Sequence, residues 1–311
     1  MNTESNVLPK SGLETETVAA ASVPKTQPFY WSVRRELWEN RWIYVGQLVI
    51  AAVCLFGFLI NLTRWLARMH DLSTTNHLEY WETIALPYNV VAAVMMGTLI
   101  LMILFYSADA LYGERRDRSI LFWKSLPVSD LTTVLAKASI PLVILPLLTV
   151  AITIGLHLIM LLLSAIVLPA SGVSLASWWN ELSIFQMWGL LLYHILTAHA
   201  LWPFPVYCWL LLVSGWARRA PLLWAALPVV AVAGLEKLVF HTSYFAAVVG
   251  TRVLGGGAPT DFTSGEMLPT GPMTHITPAR FLGAPGLWVG FAVAALFLTA
   301  AVRLRRYREP V

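Results

Sequence analysis

Six long runs of apolar residues are the feature that most restricts the fold of this chain. Each run approaches or exceeds the roughly 20 residues that an α-helix needs to cross the hydrocarbon core of a bilayer. Hydrophobic residues make up 58% of the chain and charged residues only 12%, which leaves too few charges to cover a soluble fold. The sequence therefore predicts an all-α polytopic membrane protein with six transmembrane helices. The expected spans are 43–62, 84–111, 139–168, 184–213, 221–238 and 286–304.

The distribution of lysine and arginine predicts the orientation of these spans. With the N-terminus placed in the cytoplasm, most of the 21 Lys and Arg residues fall in cytoplasmic segments, so both termini are expected to be cytoplasmic. Residues 1–27 are polar and lack an early apolar core, which predicts a disordered tail without a signal peptide. Residues 28–42 carry aromatic and charged residues at helical spacing and predict an amphipathic interfacial helix. Residues 43–311 then form the six-span domain.

Four prolines interrupt the third and fourth runs. Counted from its expected cap, the third run would be a helix of about 58 Å, so it must tilt, project or bend, and Pro141 and Pro146 are candidate bending points. Pro203 and Pro205 lie two residues apart in the fourth run and predict a kink or a short break. An inert kink and a hinge for gating are both compatible with these positions.

The longest segment between spans, 241–285, is expected to be an external loop. It contains three consecutive glycines and five prolines, which are typical of irregular structure. Its first part, HTSYFAAVVGTRVL, is apolar enough to predict a short interfacial helix.

Motifs for catalysis are absent from the sequence. None of the five lysines follows a glycine, which excludes the G-x-x-x-x-G-K-[ST] loop that holds the phosphates of ATP. The zinc motif H-E-x-x-H and the nucleophile motif G-x-S-x-G are also absent. We therefore expect no enzyme activity, no metal and no cofactor in this chain.

Polar residues inside the spans are costly in lipid and are therefore candidates for function. Each is either a packed, hydrogen-bonded residue or part of a pathway. Because His194 and His199 are five residues apart, they are expected on different faces of an α-helix. Asp109 is expected to pair with nearby basic residues. The candidates are Asp109, His157, Gln186, His194, His199 and Glu236.

The densest charge cluster, YGERRDRSILFWKSLPVSD at residues 112–130, lies between the second and third spans. Basic residues are expected at this edge of the membrane, but the apolar residues 120–123 are too few to form a span. Pro127 ends the segment, so we expect a short helix from about Asp117 to Ser125 on the cytoplasmic surface. Its mixture of arginine and aromatic residues suits a protein–protein contact, and anchoring in lipid is the alternative.

This stretch resembles the same loop in bacterial ATP-binding-cassette transporter permeases of the type-two exporter class. The match runs from Glu114 to Asp130, and Lys137 matches a later lysine of the family pattern. The resemblance implies an exporter permease that forms a homodimer in the bacterial inner (plasma) membrane. It also implies two copies of a separate ATPase subunit, which would bind the ATP and Mg²⁺.

The resemblance further implies that 113–138 is the coupling-helix loop, which docks into the ATPase. Phe122, Trp123 and Leu126 are expected to supply apolar contacts. The arginines are expected to steer the ATPase or to pin the loop at the membrane. The docking candidates are Arg115, Arg116, Asp117, Arg118, Ser119, Ile120, Phe122, Trp123, Lys124 and Leu126.

Two other functions are compatible with the sequence. A permease-like immunity or sensor protein would bind a toxic peptide without moving it far. An intramembrane enzyme would use the histidines or Glu236, and these residues would then have to converge in one cavity.

Overall fold

The computed structural model describes residues 27–72, 77–124, 128–171, 184–254 and 278–307. Every regular element in these ranges is a helix, which confirms the predicted all-α membrane class. The expected N-terminal tail up to residue 26, most of the external loop and Leu126 lie outside the described residues.

Thirteen α-helices are assigned in the described ranges. Short π-helical or 3₁₀ segments adjoin some of them. In chain order the α-helices are α1 (Gln27–Glu39), α2 (Trp42–Leu72), α3 (His77–Asp109), α4 (Tyr112–Arg116), α5 (Ser119–Lys124), α6 (Asp130–Ser139), α7 (Leu145–Val167), α8 (Ile184–His194), α9 (Phe204–Trp216), α10 (Pro221–Phe240), α11 (Tyr244–Leu254), α12 (Pro278–Leu282) and α13 (Pro285–Tyr307).

Six helical segments of the described chain are long and apolar enough to span a membrane, which confirms the predicted number. They extend beyond several of the expected ends because polar flanking residues continue the helices past the hydrocarbon-length core. The segments are Trp42–Met69, Thr83–Arg116, Asp130–Val167, Ile184–Leu201, Pro221–Phe240 and Pro285–Tyr307.

The third span is continuous through its prolines. A π-helical segment, Ile140–Ile144, joins α6 to α7 and contains Pro141 near its start. Pro146 occupies the second position of α7. A wider turn accommodates residues that cannot donate to the ordinary α-helical ladder, so the helix passes Pro141 without a break.

The fourth span is broken at the predicted place. A π-helical segment, Ile195–Leu201, follows α8, and Trp202 and Pro203 form a turn before α9 begins. The break agrees with the two prolines of the sequence, and a role as a hinge stays a prediction.

Helix α3 lies at the centre of the bundle, where it contacts α2, α7 and α9, while α13 packs along α9. Tyr106, Leu99 and Ile103 of α3 belong to the largest buried cluster, together with residues of α7 and α9. Helix α10 is much less covered, and Ala225 is its one buried residue. The fifth span is therefore attached mainly at the end where it follows α9.

On the side away from α1, an arginine of α11 ties this helix to the fourth and sixth spans. Arg252 donates to the carbonyls of Trp202 and Gly286, and its guanidinium lies 3.8 Å from the centre of the Trp202 ring. Gly290 makes room for it, because a Cβ at that position would lie 2.8 Å from Arg252 Nη1. The guanidinium thus joins the break in the fourth span to the start of α13.

Candidate functional site at the junction of four helices

The loop between the second and third spans forms two short helices, α4 and α5. The Asp117 amide bonds the carbonyl of Gly113, and Arg118 adopts the left-handed conformation at φ 56°. This turn separates the two helices. The predicted single helix from Asp117 is therefore corrected, since Asp117 and Arg118 belong to the turn and α5 begins at Ser119.

Glu114 on α4 is buried and binds three cations from three other helices. Arg35 Nη2 lies 2.9 Å from Oε1 of Glu114, and Lys137 Nζ lies 3.2 Å from the same atom. Arg305 Nη1 donates to the other carboxylate oxygen. One side chain of the loop therefore connects α1, α6 and α13.

Glu36 on α1 is a second buried carboxylate in the same place. Lys137 Nζ lies 2.7 Å from Glu36 Oε1, and Arg35 Nη2 lies 2.8 Å from it. The hydroxyl of Tyr106, on α3, donates to Glu36 Oε2 at 3.1 Å. Lys137 is thus held between two carboxylates, and its side chain is 2% exposed. It lies near the start of the third segment that is long enough to span a membrane, Asp130–Val167.

Asp130 completes the arrangement at the start of α6, where its carboxylate accepts from Arg305 Nε at 3.1 Å. We call the six residues the charge cluster. It contains three cations and three carboxylates and so carries no net formal charge. Its members are Arg35, Glu36, Glu114, Asp130, Lys137 and Arg305.

Burial makes the pairing within the charge cluster obligatory. A buried ion pair adds little net stability compared with apolar packing, but removal of one partner leaves an uncompensated charge at a cost of about 3–5 kcal/mol. Burial alone would lower the pKa of the Arg35 guanidinium, but the carboxylates of Glu36 and Glu114 raise it above its ordinary value. The four helices are therefore joined by contacts that are costly to break singly.

Arg35 also connects the charge cluster to α5. Its guanidinium lies 4.0 Å from the centre of the Trp123 ring, a cation–π contact, while its Nη2 bonds the two glutamates. The Phe122 ring packs edge-on against Trp123 with centroids 4.9 Å apart. A displacement of α5 would therefore act directly on α1 through the contact between Trp123 and Arg35.

Arg115 and Ile120 are buried, so their predicted role as docking contacts is corrected. Arg115 donates to the carbonyls of Gly215 and Ala217 at the end of α9, where orphan helix-terminal carbonyls need donors. Ile120 is 2% exposed. Arg115 thereby ties the loop to the end of the fourth span, which agrees with the pinning role that the sequence left open for the arginines.

The other docking candidates form a mixed surface. Arg116, Asp117 and Arg118 are exposed, and Arg116 Nε lies 3.0 Å from Asp117 Oδ1. Phe122 is 61% exposed, and the neighbouring Leu121, which was not among the candidates, is 59% exposed. Trp123 and Ser119 are half-buried. Lys124 ends α5, and its side chain is outside the described set, as is Leu126.

Asp109 faces outward beside this surface, with a side chain 55% exposed and 3.9 Å from Arg116. The expected pairing with the basic residues of the loop is observed.

The structure corrects the prediction that His194 and His199 lie on different faces. Their rings contact each other edge to face, with centroids 5.0 Å apart, and both are buried. The reason is the π-helical segment Ile195–Leu201, in which residues five apart are aligned. Among the described residues, no group of three or more His, Cys, Asp or Glu side chains is placed to hold a metal ion.

His157 is a packed, hydrogen-bonded residue. Its Nε2 lies 3.1 Å from the carbonyl of Tyr88, and Trp188 Nε1 donates to its Nδ1 at 3.3 Å. With both ring nitrogens engaged and the side chain fully buried, His157 joins α3, α7 and α8.

The remaining polar candidates lie at helix ends. Gln186 is exposed near the start of α8. Glu236 accepts hydrogen bonds from the Thr242 hydroxyl and from the amides of Tyr244 and Phe245, so it caps the N-terminus of α11. These hydrogen bonds give Glu236 a local structural role.

Sequence reasoning missed most of the charge cluster. Glu114, Asp130 and Lys137 were noted only as parts of a pattern, whereas Arg35, Glu36 and Arg305 were not identified as members of a site. A usable signal was Glu36 at the centre of the amphipathic helix, since a carboxylate on a helix face that packs inward requires a cation.

Comparison with known proteins found no matching family model, curated protein or solved structure.

Proposed function

We propose that this chain is the membrane-spanning permease subunit of an ATP-driven exporter, and that a separate ATPase subunit docks on α5. The observation that carries the proposal is the contrast within the loop. Leu121 and Phe122 are exposed on α5, while Glu114 at its base is buried among cations from three helices.

The exposed surface has the composition of a docking site. Two large apolar side chains lie beside the charged residues Arg116, Asp117 and Arg118. Apolar centres with polar rims are typical of protein–protein interfaces, in which aromatic and arginine residues supply much of the binding energy. We therefore place Phe122 in the contact, with the charged turn before α5 steering the approach of the partner.

The charge cluster supports transmission of movement from this surface. Movement of α5 acts on α4 through the short turn and on α1 through the contact between Trp123 and Arg35. Glu114 passes the movement to α6 and α13, which begin the third span and end the sixth. A partner that contacts α5 differently in its two nucleotide states would then shift the spans between two arrangements.

The chemistry of ATP belongs to the partner in this proposal. The chain has no phosphate-binding loop, so ATP and Mg²⁺ would be held by the ATPase. Two permease copies and two ATPase copies in the bacterial inner membrane complete the assembly that the loop resemblance implies. The chain itself would catalyse no reaction.

A photo-crosslinking amino acid at position 122 tests the docking directly. In membranes of the native host, we expect Phe122 replaced by the crosslinker to capture a polypeptide with a Walker A loop, identified by mass spectrometry. The matched control is Phe240, which is equally apolar and 71% exposed but lies at the far end of α10.

Capture of the same ATPase from both positions would contradict the assignment. Capture of lipid alone from position 122 would support the alternative in which α5 is a membrane anchor. In the purified complex, Phe122→Ala is expected to weaken ATPase binding by roughly 2 kcal/mol, about thirtyfold, if Phe122 is a dominant contact. Undiminished affinity would remove Phe122 from the interface.

A further inference from the structure

A groove between α2 and α3, distant from the charge cluster, has the shape and polarity of a lipid site. It is a cavity of about 510 Å³, within the size range of small-molecule pockets. Its apolar half is formed by residues such as Phe58, Leu86 and Val90, and its polar end by Asn61, Arg64 and Arg68. The lining of the groove is therefore apolar at one end and cationic at the other.

The position along α2 places this change at the edge of the membrane. Arg64 follows Trp42, the first residue of α2, by about 33 Å of helix, which is close to the thickness of the hydrocarbon core. Arg68 lies one turn further on. The apolar part of the groove around Gly57 is then at acyl-chain depth, and the arginines are at the level of the headgroups on the side away from α1.

The two arginines supply the positive charge at the polar end of the groove. Both are exposed, and neither has an acidic partner within salt-bridge distance among the described residues. They are also unusual in their placement, because the positive-inside rule places most basic residues at the other membrane face. An exposed cationic pair above an apolar groove complements an anion attached to a chain.

The groove is held open by a specific local structure. Pro87 has no N–H to donate to the carbonyl of Thr83, and Trp65 Nε1 donates to that carbonyl instead, at 2.7 Å. The Trp65 ring packs against Phe58 with centroids 6.0 Å apart. Trp65 thereby ties α2 to α3 at the polar end, and Gly57 leaves the space below it unfilled.

We propose that this groove binds an anionic phospholipid of the external leaflet, with its phosphate between Arg64 and Arg68 and an acyl chain along Gly57. Basic pockets between transmembrane helices recognise acidic headgroups by this combination of charge and apolar contact. The site makes no use of the docking surface on α5, so it stands independently of the proposed function.

Spin-labelled phosphatidylglycerol and phosphatidylcholine, each in vesicles with the full chain, measure this selectivity. We expect wild-type protein to prefer phosphatidylglycerol, and the double variant Arg64→Gln/Arg68→Gln to lose about tenfold of that preference. The matched control, Arg218→Gln/Arg219→Gln, removes the same charge from an exposed pair at the cytoplasmic face. An equal loss in the control would show that only net charge is sensed and would overturn the site.

A second pair of variants tests the apolar half. Gly57→Leu fills the groove without a backbone clash and is expected to reduce binding of both lipids, whereas Gly97→Leu, which also enters open space on a neighbouring helix, leaves binding unchanged. Equal effects of the two leucines would contradict the proposal. Thermal unfolding of each variant verifies that the comparison is made between folded proteins.

Two further outcomes separate the phospholipid from other occupants. Excess inorganic phosphate is expected to leave the bound phosphatidylglycerol in place, because it offers no chain to the groove. Complete displacement would identify a site for the free anion and overturn the assignment. Dissociation of an oligomer by Arg64→Gln/Arg68→Gln, measured by light scattering, would assign the groove to a second copy of the chain instead.

Discussion

The two ends of the helical bundle are tied together in different ways. At one end, six charged side chains on four helices form a connected set of ion pairs centred on the buried Glu36, Glu114 and Lys137, supported by Tyr106 from a fifth helix. At the opposite end, Arg252 joins α11 to the fourth and sixth spans through backbone carbonyls, and Glu236 of α10 caps the start of α11.

The difference between the two ties has a mechanical consequence. Contacts among several helices resist separation jointly, because loss of any one partner leaves a buried charge. A single guanidinium on carbonyl groups can be exchanged at a smaller cost, since the freed carbonyls lie at a helix break and a helix start. We therefore expect the helices joined by the charge cluster to move as one body and the opposite end of the bundle to adjust around them.

The largest expected effect follows from removal of the central carboxylate. Glu114→Gln leaves Arg35, Lys137 and Arg305 with one anionic partner fewer and should destabilise the protein by about 3–5 kcal/mol. Thermal unfolding in detergent measures this. The control is Asp117→Asn, three residues away on the exposed turn, which should change stability by less than about 0.5 kcal/mol. Equal effects would mean that the cluster contributes no more than a surface pair.

An intermediate effect is expected at the opposite end of the bundle, around Arg252. Arg252→Gln removes the charged donor from the Trp202 and Gly286 carbonyls and should cost about 2 kcal/mol. The loss of stability should be local, so amide exchange should become faster in α11 and stay unchanged in α4. If exchange rises in α4 as well, the two ends are coupled more tightly than their contacts indicate.

The smallest of these effects tests the close approach beneath Arg252. Gly290→Ala places a methyl group 2.8 Å from Arg252 Nη1 and 3.1 Å from Pro205, so a shift costing about 1 kcal/mol is expected. Gly97→Ala meets no atom within 4 Å and should be neutral or slightly stabilising, since alanine favours a helix. Thermal unfolding of the two variants measures this difference. A stabilised Gly290→Ala protein would contradict the close approach of Gly290 to Arg252.

The sequence was most informative where structure depends on local pattern. Apolar runs predicted the six spans, the aromatic and charged spacing of residues 28–42 predicted α1, and two prolines predicted the break at Trp202 and Pro203. These features follow from hydrophobic length and backbone chemistry within one segment.

Contacts between distant segments were beyond this reasoning. Glu114 and Arg305 are 191 residues apart, and nothing local to Arg305 distinguishes it from the neighbouring basic residues at the end of α13. The prediction that His194 and His199 lie on different faces failed for another reason. It assumed α-helical periodicity where the chain forms a π-helical segment. The burial of Arg115 likewise depends on carbonyls about 100 residues away.

Hydrogen exchange of the Glu114→Gln protein tests most directly whether the charge cluster joins its helices into one unit. Peptides from α1, α4, α6 and the last turns of α13 should lose protection together, while α11 keeps the protection seen in the wild type. Faster exchange confined to α4, with α1, α6 and α13 unchanged, would contradict the claim that the charge cluster joins these helices into one moving body.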